Sequence, residues 1–133
     1  FVETHREVEA EHLALFEQLL PGGKRTRLLP VWRVAGWMLG FAPALHSTRL
    51  LYVTISAVET FVEEHYMAQI TPLKQGGHCP ELVKLLEACC VDEVHHKEDA
   101  ARRVGGELSW AERVWAVVVW IGSKAAAEVA RRV

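Results

Sequence analysis

The sequence lacks several features by which common classes of protein are recognised. It has no basic excess, because 15 Lys and Arg residues stand against 17 Asp and Glu residues and the formal net charge is -2. Neutralising a phosphate backbone requires such an excess, so we expect no nucleic-acid partner. The three cysteines include an adjacent pair and no Cys-x-x-Cys motif, which is poor geometry for a disulfide framework and is typical of a reducing compartment. A G-x-G-x-x-G fingerprint and a secretory signal pattern are also absent.

What the sequence does contain is the profile of one globular domain with a large supply of metal-binding side chains. Half of its 133 residues are hydrophobic and 24% are charged, and a chain of this length buries a proper core without disulfides or a structural metal. Seven histidines and 17 carboxylates exceed what a plain helical core needs. The chain begins at Phe1 rather than at methionine, and we expect a further segment upstream.

Prolines and glycines fall in clusters that divide the chain into long stretches with few helix breakers. This spacing predicts helices joined by short loops, and strand patterns are nearly absent. The first predicted helical stretch ends at residue 20, and the next three cover residues 44–70, 81–104 and about 108–133. Residues 115–120 have a strand-like composition, but good helix formers flank them, so we predict a buried helix there. The predicted fold class is therefore all-α.

The segment of residues 28–45 is almost wholly apolar and includes Trp32 and Trp37. Prolines and an arginine inside it make it too short and too broken for a membrane-spanning helix. Three basic residues precede it: Lys24, Arg25 and Arg27. Tryptophans at headgroup depth and basic residues near anionic lipid predict a segment that lies in a membrane interface. The alternative is a helical hairpin buried in a soluble core.

Two Glu-x-x-His motifs and one lone glutamate are candidate metal ligands. Glu9 and His12 lie on the first helical stretch, and Glu93 and His96 repeat the spacing on the third. This spacing places a carboxylate and an imidazole on one face of a helix, one turn apart. Glu59 lies on the stretch between them, among apolar neighbours where an unpaired charge would be costly.

These five residues match the ligand pattern of four-helix di-metal proteins. In that pattern one glutamate comes from each of two helices and a Glu-x-x-His motif from each of the other two, and all point inward to hold two metal ions. Mixed carboxylate and imidazole ligands suit iron or manganese. The sixth ligand would be a glutamate on a helix upstream of Phe1. We therefore predict a single domain over residues 1–133 that lacks the first helix of its bundle.

Four blocks of sequence follow one another in a specific order. They are residues 9–13 (EAEHL), residues 29–32 (LPVW) ahead of Gly36 and Gly40, residues 57–59 (AVE) ahead of His65, Tyr66, Gln69 and Ile70, and residues 92–96 (DEVHH). With these blocks nearly the whole chain resembles the demethoxyubiquinone hydroxylases of ubiquinone biosynthesis, which are membrane-associated ferritin-like di-iron proteins. The resemblance implies a ferritin-like helical bundle with an inserted apolar helical segment at the membrane interface.

The resemblance also implies a function, namely hydroxylation of a demethoxyubiquinol-type lipid quinone with dioxygen. The implied cofactor is two iron ions, and the implied ligands are Glu9, His12, Glu59, Glu93 and His96. Roles for Tyr66 and His65 near the metals are implied as well. The expected partners are a membrane surface and the lipid quinone, together with a lipid-binding accessory protein of the ubiquinone pathway, and self-association into a homo-oligomer is compatible with the pattern. The expected location is peripheral on an inner membrane, at the cytoplasmic face in bacteria or the matrix face in mitochondria.

Some of these residues also have plainer interpretations. Helical spacing returns Tyr66 to the face of Glu59, where an ordinary packing tyrosine is the alternative. His65 is rotated by about 120° from Glu59 and is expected in solvent. Glu63 is also expected in solvent, with a spare ligand and a proton relay as alternatives. His5, His46 and His78 are expected at the surface or in loops, without a role.

A zinc site is a rival use of the cysteines and histidines. Its ligands would come from Cys79, Cys89, Cys90, His95 and His96. Their spacing fits no compact zinc pattern, so buried and inert thiols are the preferred interpretation.

Two other functions fit parts of the same pattern. A ferritin-like iron-handling or peroxide-scavenging protein would use the same ligands without a quinone channel. A metal-free helical interaction module would keep the bundle alone.

Overall fold

A computed structural model describes residues 2–19 and 28–132 of the protein. These residues form five α-helices and no strand: α1 (Val2–Leu19), α2 (Leu29–His46), α3 (Thr48–Gly76), α4 (Pro80–Val104) and α5 (Trp110–Ala130). The prediction of an all-α, ferritin-like bundle is confirmed, and residues 115–120 are helical as expected. The basic residues Lys24, Arg25 and Arg27 lie outside the described part of the chain.

The core lies between α3 and α4, which make the most extensive helix pair. α2 and α5 pack against α3, and α1 packs against α4. Six buried residues form the core: Tyr66, Ile70, Val83, Leu86, Cys89 and Cys90. Leu15 and Phe16 of α1 pack against them. The three helices that carry the predicted ligands therefore share one core.

Helix α3 begins later and ends later than the predicted stretch of residues 44–70. Ser47 begins it, because the Ser47 side chain accepts a hydrogen bond from the Leu50 backbone N–H at 3.0 Å and so satisfies a free donor of the first turn. Pro72 removes one helical hydrogen bond without ending the helix. Gly77, in the left-handed conformation with φ 62°, ends it.

Of the segment 28–45, residues 29–45 form part of one continuous helix, α2, which passes through Pro43 and ends at His46. Much of its surface is exposed, including Val34 (63%), Trp37 (59%) and Phe41 (44%). The alternative of a buried helical hairpin is therefore wrong. In the parts of the chain that are described, no helix combines the length and the apolar character that crossing a membrane requires.

Arg49 ties the start of α3 to the connection between α4 and α5. Its Nε donates to Glu112 Oε1 at 2.6 Å, and its other nitrogens donate to the carbonyl groups of Val104, Gly105 and Glu107. Glu112 also completes a capping box with Ser109 at the start of α5. The position of α5 against α3 is thus fixed at this end by polar contacts.

Candidate metal centre

Three helices bring all five predicted ligands to one place. α1 carries Glu9 and His12, α3 carries Glu59, and α4 carries Glu93 and His96. Ligand atoms of Glu9, Glu59, Glu93 and His96 all lie within 4.8 Å of one another. His12 joins this cluster through Glu93, since its Nδ1 lies 3.2 Å from Glu93 Oε1.

Glu93 lies between the two imidazoles, with one carboxylate oxygen toward each. Its Oε1 is 3.2 Å from His12 Nδ1, and its Oε2 is 3.5 Å from His96 Nδ1. Both Glu93 Oε2 and His96 Nδ1 are buried and have no hydrogen-bond partner among the described residues. Buried polar atoms are nearly always paired, and a cation between these two atoms would satisfy both. Glu93 is thus the carboxylate that would contact a metal ion beside either imidazole.

The two halves of the cluster differ in how many carboxylates surround each imidazole. Glu9 and Glu93 both approach His96 Nδ1 at 3.5 Å, and Glu59 completes this half. The neighbours of His12 are Glu93 at Nδ1 and Asp92, whose Oδ2 lies 3.2 Å from His12 Nε2. A carboxylate at the far nitrogen of an imidazole is the arrangement that orients histidine ligands of metals. The Glu9 side chain is 50% exposed and that of Glu93 is 4% exposed, so the cluster is open on the side of α1.

Burial and the close approach of like charges disfavour the charged forms of Glu9, Glu59 and His96 in this cluster. Burial together with the charges of Glu93 and Glu9 raises the pKa of Glu59 to about 9. Burial and the neighbouring Glu93 also raise the pKa of Glu9, and burial lowers the pKa of His96. Carboxylates that repel each other and an imidazole that resists protonation are the ligand forms that a metal cation would stabilise. The donor set therefore fits a metal centre.

Tyr66 packs directly beside the cluster. It is buried at 8% exposure, and its ring centroid lies 6.4 Å from that of Phe16 on α1. Burial and the adjacent Cys89 thiol raise the pKa of Tyr66, and the charges of Glu93 and Glu9 act in the same direction. The Tyr66 hydroxyl is therefore neutral near pH 7 and lies within range of the charges of two predicted ligands, Glu9 and Glu93.

His65 and Glu63 lie outside the cluster. His65 is exposed and lines a cavity of about 770 Å³ between α3 and α5, with its ring centroid 5.5 Å from that of Phe61. Glu63 forms an ion pair with Lys97 of α4 and is therefore not a simply solvated side chain. It is not among the residues of the cluster. The helix thus directs Tyr66 and His65 to different sides.

His5 lies beside the cluster, so the expectation that it lies at the surface or in a loop without a role is wrong. Its ring centroid is 3.6 Å from that of His96, with the two planes tilted by 54°. Burial and His96 lower the pKa of His5 to about 4, so the ring is neutral near pH 7. A signal was present in the sequence, because His5 precedes Glu9 by four residues and His12 by seven and so shares their helical face. His46 and His78 are exposed, as expected.

The cysteines form no metal site in the described part of the chain. Cys79 is exposed at the start of α4, whereas Cys89 and Cys90 are buried. The one candidate cluster found within residues 2–19 and 28–132 contains no cysteine. The prediction of buried thiols therefore holds for Cys89 and Cys90 and is wrong for Cys79.

An apolar cavity lies on the other side of α3 from α4, between α2, α3 and α5. Its volume is about 600 Å³, and its lining includes Trp32, Leu39, Phe61, Trp115 and Val119. Phe61 follows Glu59 by two residues on α3, and it also lines the cavity that contains His65. A cavity of this size and lining suits an apolar ligand.

The sequence profile of one protein family matches almost the whole chain. The family is described as Ubiquinone biosynthesis protein COQ7, and the match covers residues 1–130. No solved structure matches significantly.

Three relatives carry names that agree with this family. A mitochondrial NADPH-dependent 3-demethoxyubiquinone 3-hydroxylase of Dictyostelium discoideum is 33% identical over 129 residues, which is 94% of this chain and 58% of the relative. The enzyme of the same name from Bos taurus is 30% identical over 93% of this chain and 58% of its own length. A 3-demethoxyubiquinol 3-hydroxylase of Rhodospirillum rubrum is 29% identical over 94% of this chain and 58% of its own length. The chain thus spans little more than half the length of these relatives, and it belongs to the Ubiquinone biosynthesis protein COQ7 family.

Proposed function

We propose that the protein containing this chain is a di-iron hydroxylase that uses dioxygen to hydroxylate a demethoxyubiquinol-type lipid quinone in ubiquinone biosynthesis. The observation that carries the proposal is the cluster of Glu9, Glu59, Glu93 and His96, of which Glu93 and His96 are buried, in a chain whose relatives are named 3-demethoxyubiquinone 3-hydroxylases. Carboxylate and imidazole ligands suit iron, and the bundle places them as di-iron proteins do.

The proposed ligands divide between two iron positions. Glu9, Glu59 and Glu93 would hold iron beside His96, and Glu93 would hold iron beside His12, as the carboxylate contacts of the two imidazoles indicate. A glutamate on a helix upstream of Phe1 is the proposed sixth ligand. The half-exposed side chain of Glu9 supports the packing of that helix on this side of the cluster. When bound, the iron pair supplies the activation of dioxygen, and the chain supplies geometry and a dry pocket. Asp92 holds the His12 ring at Nε2, so that Nδ1 faces the cluster.

The apolar cavity between α2, α3 and α5 is proposed to hold the lipid quinone. Its lining accepts an apolar ring and the start of an isoprenoid tail, and Phe61 lies within one helical turn of Glu59. Tyr66 is proposed to move a proton or an electron beside the iron ligands. His65 is proposed to contact the reductant in the cavity of about 770 Å³ between α3 and α5. Two relatives are named NADPH-dependent, and we propose a reduced nicotinamide as that reductant.

The proposed location is the surface of an inner membrane, bacterial or mitochondrial. The exposed apolar side chains of α2 support this location, because an apolar face rimmed by tryptophan is typical of helices that lie in a membrane interface. A lipid-binding accessory protein is proposed to dock on α5, which exposes Val114, Val118 and Ile121 and lines the apolar cavity.

Anaerobic loading of the full-length protein with Fe(II), followed by turnover with a short-chain demethoxyubiquinol, dioxygen and NADPH, tests the proposal. We expect about two irons per chain and a product heavier by one oxygen atom. Glu93→Gln should lose both irons and the product, because Glu93 faces both imidazoles, whereas Glu59→Gln should keep about one iron. Glu98→Gln, on the exposed side of the same helix, is the matched control and should change neither.

Two results would contradict the proposal. A full-length protein that binds no iron would contradict the metal centre. A protein that holds about two irons but forms no hydroxylated quinol would contradict the reaction and favour an iron-handling protein.

A further inference from the structure

The first turns of α1 place a third imidazole against the proposed metal centre. His5, Glu9 and His12 recur at intervals of four and three residues and therefore share the face of α1 that packs on α4. The His5 ring lies against the His96 ring with a centroid distance of 3.6 Å. The contact joins two helices across the core of the site.

The two proposed imidazole ligands are held differently. His12 has a carboxylate at both ring nitrogens, with Glu93 at 3.2 Å and Asp92 at 3.2 Å. His96 has its carboxylate contacts within the described residues only at Nδ1, each at 3.5 Å. A ring held at one nitrogen can still turn about its side-chain bonds, so His96 needs a second constraint. The His5 ring, packed at an angle against it, provides one.

We infer that His5 is a positioning residue that holds the His96 imidazole in the orientation in which Nδ1 faces the carboxylates of Glu9 and Glu93. The inference rests on the proposed function, since it takes His96 as an iron ligand. The contact that assigns His5 this role is the packing of its ring on that of His96. His12, which also lies outside the four-residue group, differs from it in reaching a ligand atom of that group, Glu93 Oε1, at 3.2 Å. Loss of a hydrogen-bonded outer partner of a histidine ligand weakens metal binding by about 10-fold to 100-fold, and we expect the loss of a packed ring to lie at the lower end of that range.

Three variants of the full-length protein test this role: His5→Ala, His5→Phe and His46→Ala. His5→Ala removes the ring, and His5→Phe keeps a flat ring without nitrogens. His46→Ala is the matched control, because His46 is exposed at the end of α2. We expect the dissociation constants of Co(II) and Fe(II) to rise about 10-fold or more in His5→Ala, and to stay close to the parent values in the other two variants. The visible absorption bands of bound Co(II) should change in His5→Ala alone.

A second readout needs no metal. In the metal-free protein the ring-proton resonances of His96 should shift in His5→Ala, since the neighbouring ring current is lost, and should not move in His46→Ala. Unchanged resonances, or an unchanged Co(II) affinity, would overturn the inference. Equal losses in His5→Ala and His5→Phe would also overturn it, because they would make His5 act through its nitrogens. Failure of the parent protein to bind Co(II) or Fe(II) would instead overturn the proposed function, and the metal-free resonances would still test the contact.

Discussion

Both halves of the candidate metal centre depend on one residue, Glu93. Its side chain is almost fully buried, and its charge contributes to the raised pKa of both Glu9 and Glu59. Because the pKa values of Glu9 and Glu59 are raised, metal binding to these two carboxylates would release protons.

Glu59 should make the stability of the metal-free protein depend on pH. Its pKa is raised from 4.5 to about 9, so near pH 7 the folded chain holds a proton that the unfolded chain has released. The stability that this proton contributes is complete below pH 4.5 and is lost as the pH rises toward 9, by at most about 1.4 kcal/mol per pH unit. Glu59→Gln mimics the protonated acid and should remove this part of the slope. Urea unfolding of the metal-free proteins from about pH 7 to 9 measures it, above the range in which histidines titrate.

The control for this measurement is Glu98→Gln, which should keep the slope of the parent. Parallel slopes in the parent and in Glu59→Gln would contradict the raised pKa of Glu59. The same proton must leave before metal binds, so the Fe(II) affinity of the parent should rise over the same pH range.

The sequence predicts which ligands share a helix face, because helical spacing alone determines this. Glu9 and His12, and likewise Glu93 and His96, share a face because one helix fixes their angle. The contact of His5 with His96 and that of Asp92 with His12 each join α1 to α4. Such contacts depend on how two helices are packed and rotated against each other, which the spacing within one helix does not define.

At the scale of elements, α3 is the central helix of the molecule. It turns Glu59 and Tyr66 toward α1 and α4, and it turns Phe61 and His65 toward the cavities beside α5. The sequence predicts the existence of α3 but not its start, because a proline such as Pro43 indicates a break between helices. α2 continues through that proline, and the side-chain hydrogen bond of Ser47 defines the start of α3.

A part-buried hydrogen bond between Trp115 and Thr54 joins α5 to α3. Trp115 Nε1 donates to Thr54 Oγ1 at 2.8 Å, and the Thr54 hydroxyl donates to the Leu50 carbonyl at 2.8 Å. Thr54→Val keeps the shape of the side chain and leaves the Trp115 donor without its partner. We expect it to lower the free energy of unfolding by about 1–3 kcal/mol. Urea unfolding measures this loss.

Thr60→Val is the matched control for this prediction. Thr60 donates at 2.7 Å to the Ser56 carbonyl, within α3 itself, so its replacement breaks no bond between helices. Equal destabilisation by Thr54→Val and Thr60→Val would show that the contact with Trp115 adds nothing.

At the scale of the whole molecule, polar and apolar sites lie on opposite sides of α3. The carboxylate cluster lies between α1, α3 and α4, and the apolar cavity lies between α2, α3 and α5. α2 lines the proposed quinone cavity and also exposes apolar side chains to solvent. The same helix therefore offers a surface for lipid next to the cavity. A lipid substrate would then pass from the membrane to the cavity along one helix, without crossing the polar side of the bundle.

This arrangement predicts that changes on α2 separate membrane binding from metal binding. Trp37 and Phe41 are exposed and stacked, with ring centroids 4.5 Å apart. Burying each ring in lipid contributes about 1.5–3 kcal/mol, so the double variant Trp37→Glu with Phe41→Glu should weaken binding to anionic phospholipid vesicles at least about 10-fold. Vesicle flotation measures the loss. Val91→Glu introduces one negative charge, against two in the double variant, at an exposed valine of α4 and should float like the parent. Iron content and turnover of a short-chain quinol should persist in the double variant, because α2 carries none of the proposed ligands, whereas turnover of a long-chain quinol in vesicles should fall. Flotation of the double variant equal to that of Val91→Glu would contradict a membrane surface on α2.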